Sequence, residues 1–387
     1  MANERTARKA DARRRVTKMM KRAFSAFAAA LFLTLCGISA SVSAEEYREA
    51  YTILLLGDTH FDDRRFHIAP LEGWRLKGHE RCLKMWETRS PELLTVAGKR
   101  AAAEHVVLAV QLGDLDNGEC DTPELLNKLF LAGFSAIEKY FPGIPLLAVK
   151  GNHDIRTTKS FRNNAPVDDA LRSIISRTPG CEYWGNGCYS FRIGADLYMA
   201  ADGFIPAGKI EEFVKTTLEK NPDVRYVFFL SHLPLIPASV KYPFWLLPGH
   251  VKVMEMLEKR NTLIVAGHTH VASWAVRRTS GGELPQLVVT SMGSEWCPGK
   301  PVPAKFADWE TFSRTSRGRA VAGNRYNSPE MWETLEKRGV YTFRELSRSS
   351  GFAVLDVNAE RVEARYYTDG SGKPAAVLKL LKGKGAD

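Results

Sequence analysis

An α/β fold is what this 387-residue chain predicts, on two observations. Five apolar runs of strand length each end in a short polar loop carrying Asp, Asn or His, and stretches of helical character separate the first three of them. Loops at the C-terminal ends of strands are where open α/β sheets place their ligands. The balance of 44% hydrophobic and 25% charged residues is ordinary for a globular chain and ample for a large core.

Taken in order, Tyr51-Thr52-Ile53-Leu54-Leu55-Leu56 reads as a strand buried on both faces, and it ends in Gly57-Asp58-Thr59-His60. Asp58 and His60 are two apart, so an extended backbone puts them on one face, where they can hold one ion. Helical character from about residue 92 to 104 precedes a second buried strand, residues 105–112, which ends in Gly113-Asp114-Leu115-Asp116-Asn117-Gly118. Asp121 and Thr122 are cap candidates, and Pro123 suits the first turn of a helix running to Tyr140. A strand over 144–150 then ends in Gly151-Asn152-His153-Asp154. The pattern repeats: residues 225–230 run into Ser231-His232-Leu233-Pro234, and residues 261–266 run into Gly267-His268-Thr269-His270. Near the C-terminus, residues 351–357 and 362–370 alternate in period two, as a hairpin does.

Five of the nine histidines fall in these strand-end loops, with two Asp and an Asn. Seven oxygen or imidazole donors, one carboxylate being shared, can hold two divalent ions about 3.5–4 Å apart and leave open positions for a hydroxide and a phosphate. Such donors suit manganese, iron or zinc. No Cys-x-x-Cys occurs, so a thiolate zinc site is not expected. Asn152 offers a neutral carbonyl oxygen, and His153 a nitrogen that either ligates or gives up a proton.

The ordered set Asp-x-His, Gly-Asp, Gly-Asn-His-Asp, a later lone His and Gly-His-x-His, spanning Ile53 to about His270, resembles the calcineurin-like metallophosphoesterase family. The resemblance implies a four-layer α/β/β/α sandwich of two mixed sheets flanked by helices, with a dimetal site at the sheet edge. Carried over by position, it implies that Asp58, His60 and His270 bind the first metal, that Asn152, His232 and His268 bind the second, and that Asp114 bridges them. It further implies hydrolysis of phosphate monoesters or diesters by a metal-bound hydroxide, with His153 as the general acid. Many members read Gly-Asp-x-x-Asp in the second motif, the later Asp orienting the catalytic His. Here Asp116 comes one residue early and Asn117 stands in the expected place, so either Asp116 orients His153 or Asn117 does so neutrally. Purple acid phosphatases carry tyrosine at that spacing, which excludes the subgroup. The alternative from another class is a non-catalytic scaffold of the same fold that binds proteins. Such scaffolds usually lose ligands or the catalytic His, whereas here every position is filled.

Net charge is +10, but residues 1–44 alone carry nine Lys/Arg and two acids, leaving the remaining chain with 45 basic and 42 acidic side chains. Specific nucleic-acid binding is therefore not expected. Lys21-Arg22 before an uncharged stretch that ends Val42-Ser43-Ala44 reads as a signal peptide, with export to the periplasm or outside the cell. Membrane contact is expected only through that segment if it stays uncleaved. Residues 45–387 then form a single domain with inserted substrate-side segments at about 61–91, 234–250 and 300–350, where Arg and aromatic residues suit a phosphorylated small molecule or a lipid head group. The oligomeric state is not legible. Beyond residue 44 stand five cysteines, and Cys181 and Cys188 flank a Gly-Asn-Gly turn, which predicts a local disulfide. Cleavage after Ala44 is expected to give exported protein whose N-terminal peptide begins at Glu45; mass spectrometry finding the segment before Lys21 retained would sink it.

Overall fold

The computed structural model describes residues 50–236, 246–292, 305–306, 340–347, 349–368, 370 and 372–383. The anticipated signal peptide and most of the expected insertions at 234–250 and 300–350 lie outside these residues. The first strands are β1 (Tyr51–Leu56), β2 (Leu108–Gln111), β3 (Leu146–Ala148), β4 (Glu182–Gly185), β5 (Cys188–Ile193), β6 (Asp196–Ala201), β7 (Val227–Ser231) and β8 (Thr262–Ala266). They are followed by β9 (Ala272–Thr279), β10 (Gly282–Val288), β11 (Lys305–Phe306), β12 (Val340–Ser347), β13 (Phe352–Val357), β14 (Arg361–Tyr367) and β15 (Ala376–Lys382). The helices are α1 (Gly73–Glu87), α2 (Arg89–Ala103), α3 (Pro123–Glu138), α4 (Asn164–Ile175), α5 (Ala207–Lys220) and α6 (His250–Leu257).

Among the described residues the strands form two sheets, ordered β15-β14-β13-β1-β2-β3 and β11-β12-β9-β10-β8-β7-β6-β5-β4. β1, β2 and β3 are parallel, as are β6, β7, β8 and β10, while the outer strands pair antiparallel. Alternation along β7 shows why two sheets stack. Phe228 and Leu230 point into the interior shared by both sheets, and Val227 and Phe229 point outward onto α5 and α6. β6 and β8 divide their side chains the same way, so a run with no polar face is what each needs. On the far side Leu93, Leu94, Ala97 and Ala101 of α2 and Leu126, Leu129, Phe130 and Phe134 of α3 join the core that holds β1 and β2. The result is the four-layer α/β/β/α sandwich, with two mixed sheets flanked by helices.

Local chemistry sets the boundaries. Thr122 Oγ1 accepts Leu125 N at 3.3 Å, and Pro123 occupies the first turn of α3. The second strand is shorter than its apolar run, because His105 turns left-handed (φ 51°) as α2 ends and pairing begins only at Leu108. Much of segment 61–91 is helix rather than loop. α1 buries only His79, Cys82 and Met85, so its apolar stripe is too thin to announce itself.

The expected Cys181–Cys188 disulfide is not formed, and both thiols are free. The β4–β5 register sets Cys188 opposite Gly185, well along the hairpin from Cys181. At about 3.3 Å per strand residue the two Cα atoms stand far beyond the roughly 7 Å a disulfide spans. They also face different layers, Cys188 packing in the outer core and Cys181 against the inner one.

Phe228 sits at the centre of the interior, stacked on Tyr198 with ring centroids 4.5 Å apart. Phe228→Ala is expected to lower unfolding free energy by about 3–5 kcal/mol in urea titration while leaving bound metal unchanged.

Candidate metal centre

The parallel strands of each sheet deliver their loops to a common edge, where main-chain bonds knit them together. Thr59 N and His60 N donate to Asp114 O at 3.0 and 2.9 Å, and Phe61 N donates to Leu115 O at 2.8 Å. His268 N donates to Asp58 Oδ1 at 3.0 Å, which ties the second sheet to the first. His153 N donates to Asp114 Oδ1 at 2.7 Å. This closeness explains two of the motif glycines. A Cβ on Gly151 would overlap the main chain of Asp114, and Gly113 turns at φ +88° against the His232 ring. His60, Asp114, His268 and His270 are themselves left-handed, with φ of 45°, 50°, 69° and 53°. Such backbones cost about 1–3 kcal/mol each and concentrate at functional sites.

Two cages of side chains share Asp114. Asp58, His60, Asp114 and His270 bring ligand atoms within 4.8 Å of one another, and so do Asp114, His232 and His268. His270 Nε2 lies 2.8 Å from Asp58 Oδ2 and 3.2 Å from His60 Nε2. In the second cage His232 Nε2 lies 3.4 Å from Asp114 Oδ2, 3.1 Å from His268 Nδ1 and 3.2 Å from Asn152 Oδ1. All seven side chains singled out in the sequence therefore meet in this one place.

The donor atoms fit cations better than they fit one another. Asp58 Oδ2 is buried without a hydrogen bond although His270 Nε2 is beside it. Asn152 turns its oxygen toward His232 and His268. With the amide rotated, its nitrogen would donate to both rings, at 3.2 and 2.9 Å; with a cation in the cage, the oxygen is the atom that turns inward. His232 Nδ1 lies 2.8 Å from Leu112 O, which takes the proton on that side and leaves Nε2 as a donor of electrons. Burial holds His60 and His268 well below the usual imidazole range, so both rings are neutral. At Asp114 burial works to raise the carboxyl, but the neighbouring imidazoles, His232 first, outweigh it and hold it well below the usual range. Burial also opposes a charge on His232, yet Asp114 beside it lifts the ring to about 9; a bound cation would displace that proton.

His153 stands next to the cages, its ring centroid 4.7 Å from that of His60. Its Nδ1 lies 2.9 Å from the main-chain oxygen of Asn117, so a peptide carbonyl is the group that faces this side of the ring. Asp116 makes no hydrogen bond to His153: its Oδ1 accepts Gly118 N at 2.7 Å, closing its own turn, while Oδ2 is buried without a partner. Asn117 acts through its carbonyl, since its side-chain nitrogen donates to Asp62 Oδ2 at 2.8 Å. Asp154 is a brace, its two oxygens accepting Asp116 N and Gly151 N at 3.0 and 2.7 Å. Sequence reading missed Arg156, whose Nη1 lies 3.1 Å from His153 Nε2. The available signal was an arginine three residues after the histidine on the same strand-end loop.

A family model described as Calcineurin-like phosphoesterase matches residues 51–272, a span that holds both cages and His153. Among solved structures, a dimetal phosphatase from Danio rerio is similar at 14% identity and TM-score 0.48, covering 86% of this chain and 99% of that one. PhoD is similar at 11% identity and TM-score 0.49, over 86% of this chain and 68% of that one. GAP50, the anchor in the inner membrane complex of Plasmodium, is similar at 12% identity and TM-score 0.46, over 88% and 91%. No curated protein was found to match the chain.

Because Asp114 belongs to both cages, Asp114→Asn is expected to remove at least one of two bound divalent ions, measured by elemental analysis, while far-ultraviolet circular dichroism stays unchanged. Full retention of both ions would count against the shared role.

Proposed function

The chain belongs to the calcineurin-like phosphoesterase family, and from that premise we propose that it is an exported, dimetal-dependent hydrolase of phosphate monoesters. The observation that carries the reading is the pair of cages around one shared carboxylate, with a histidine and an arginine beside them. Asp58, His60, Asp114 and His270 would hold one ion and Asp114, Asn152, His232 and His268 the other, and manganese, iron and zinc all suit these donors. When bound, the ions supply Lewis-acid polarisation of phosphoryl oxygens and acidify water.

The chain's own residues supply the rest. Hydrolysis forms a bond from a water oxygen to phosphorus and breaks the bond to the ester oxygen, which leaves needing a proton. His153 commits its Nδ1 proton to the Asn117 carbonyl, so Nε2 is the atom that carries the proton to the leaving oxygen. Burial, reinforced by Arg156 and opposed by Asp114, pushes this imidazole down to about 4, so Nε2 is unprotonated at rest and the proton it hands to the leaving oxygen is one it first takes up from the attacking water. Arg156 lies against Nε2 before substrate arrives and swings onto a phosphoryl oxygen when one is bound, freeing the nitrogen. A guanidinium there favours the dianion of a monoester over the single charge of a diester, and the substrate class is a phosphorylated small molecule or lipid head group. The basic and apolar stretch before Glu45 supports export, to the periplasm or outside the cell.

With manganese, His153→Ala is expected to reduce kcat by about 10²–10⁴-fold on an alkyl phosphate, whose leaving oxygen needs a proton, and far less on p-nitrophenyl phosphate. Arg156→Gln is expected to lower the monoester-to-diester ratio of kcat/KM. Equal losses on both leaving groups would remove His153 from the acid role, and inactivity of the parent on both ester classes would favour a protein-binding scaffold.

A further inference from the structure

A third group of metal-ligand side chains lies apart from the two cages. Asp62, His67 and His79 bring one carboxylate oxygen and two ring nitrogens within 4.8 Å of one another. All three come from the short stretch between β1 and the end of α1. Asp62 lies in the loop after β1, His67 closes the 3-10 turn Arg64–Phe66, and His79 is on the buried face of α1. Their side chains are nearly sealed from solvent, at 0%, 5% and 9% exposure.

The convergence of three buried ligand atoms carries the argument, and the contacts of His67 are consistent with it. Its Nδ1 lies 3.2 Å from the main-chain oxygen of Glu119, and its Nε2 lies 2.7 Å from Asp62 Oδ1. A neutral imidazole has one N–H and cannot donate to both. With Nδ1 donating to the carbonyl, Nε2 turns a lone pair toward the carboxylate and a cation fits between them; with Nε2 donating to Asp62, the ring is only a hydrogen-bonded partner, and the two arrangements differ in metal content. A carbonyl on one nitrogen and an electron pair presented by the other is how a metal-ligating histidine is set, and His232 in the adjoining centre is arranged in the same way. His79 Nδ1 meets the other carboxylate oxygen at 2.9 Å, its ring edge-on to that of His67 with centroids 4.4 Å apart.

We propose that Asp62, His67 and His79 form a third metal site that takes a single divalent cation, zinc by preference. One carboxylate and two imidazoles make a borderline donor set, and water completes four-coordination. The site is independent of the hydrolytic reading, but the two are joined through Asn117. Asn117 Nδ2 donates to Asp62 Oδ2 at 2.8 Å, and its main-chain oxygen faces His153 Nδ1 at 2.9 Å. A cation on Asp62 would hold Asn117, and through it the His153 ring, without touching substrate.

The test is zinc stoichiometry of the exported chain, saturated with zinc, freed of excess and read by elemental analysis. Three zinc ions per chain are expected in the parent, two in His67→Gln and in His79→Gln, and at least one in Asp58→Asn/Asp114→Asn. Two per chain in the parent, or an unchanged content in both histidine variants, overturns the proposal and leaves His67 as an imidazolium paired with Asp62. If the histidine variants do not fold, cobalt(II) loaded into Asp58→Asn/Asp114→Asn decides instead. The visible absorption of four-coordinate cobalt supports the site, and its absence sinks it. Loss of hydrolysis with three zinc ions retained would count against the phosphoesterase reading alone.

Discussion

Asp114 is the point on which the rest of the structure depends. It is a buried carboxylate on a left-handed backbone. Its main-chain oxygen receives the loop after β1, one side-chain oxygen receives the amide of His153, and the other lies by His232. Three loops from two sheets are thus located by one residue. A carboxylate so placed is costly unless opposite charge is brought to it; burial keeps His60 and His268 neutral, a second carboxylate, Asp58, lies in the same cage, and of the neighbouring rings Asp114 raises His232 toward the charged form. That imbalance is why the pocket suits two cations rather than a hydrogen-bonded core.

The same residues explain why the frame is rigid. The loops are bonded to one another through main chain, and Gly151 is pressed against Asp114 so closely that no side chain fits. Asp154, raised to about 7 chiefly by burial, still accepts two amides and keeps the His153 turn closed. Metal ligands must be held to within a fraction of an ångström of their working geometry, and a scaffold of interlocked loops on buried strands does this better than long side chains in solvent.

Around His153 the chain solves a common problem in its own way. Where a carboxylate would directly face the ring, a peptide carbonyl does so, and a carboxylate from the preceding loop, Asp62, stands one step behind it. A carbonyl orients without adding negative charge, and Arg156 adds positive charge on the opposite side of the ring. Both are compatible with the neutral ring that burial favours. Asp62 is in turn gripped by His67 and His79, so segment 61–91 reaches the His153 loop through Asn117.

How much of this was legible in the chain follows from which forces are local. β1, β7 and β8 could be read almost to the residue, because a strand buried on both faces needs an uninterrupted apolar run and ends where a glycine or serine lets the backbone turn. The identity of the clustered side chains was legible for the same reason, as metal chemistry restricts the residue types a strand tip can carry. Other features depended on pairing across the molecule. Cys181 and Cys188 are close in sequence, but the hairpin register and the two faces of a sheet part them. Asp116 and Asn117 looked interchangeable until the turn drew Asp116 onto Gly118 N and set the Asn117 carbonyl against the His153 ring. Arg156 and the meeting of Asp62, His67 and His79 are invisible to periodicity. Sequence determined which atoms were available at each strand end; only tertiary structure decided which lone pairs face one another, because that is set by contacts between residues far apart in the chain.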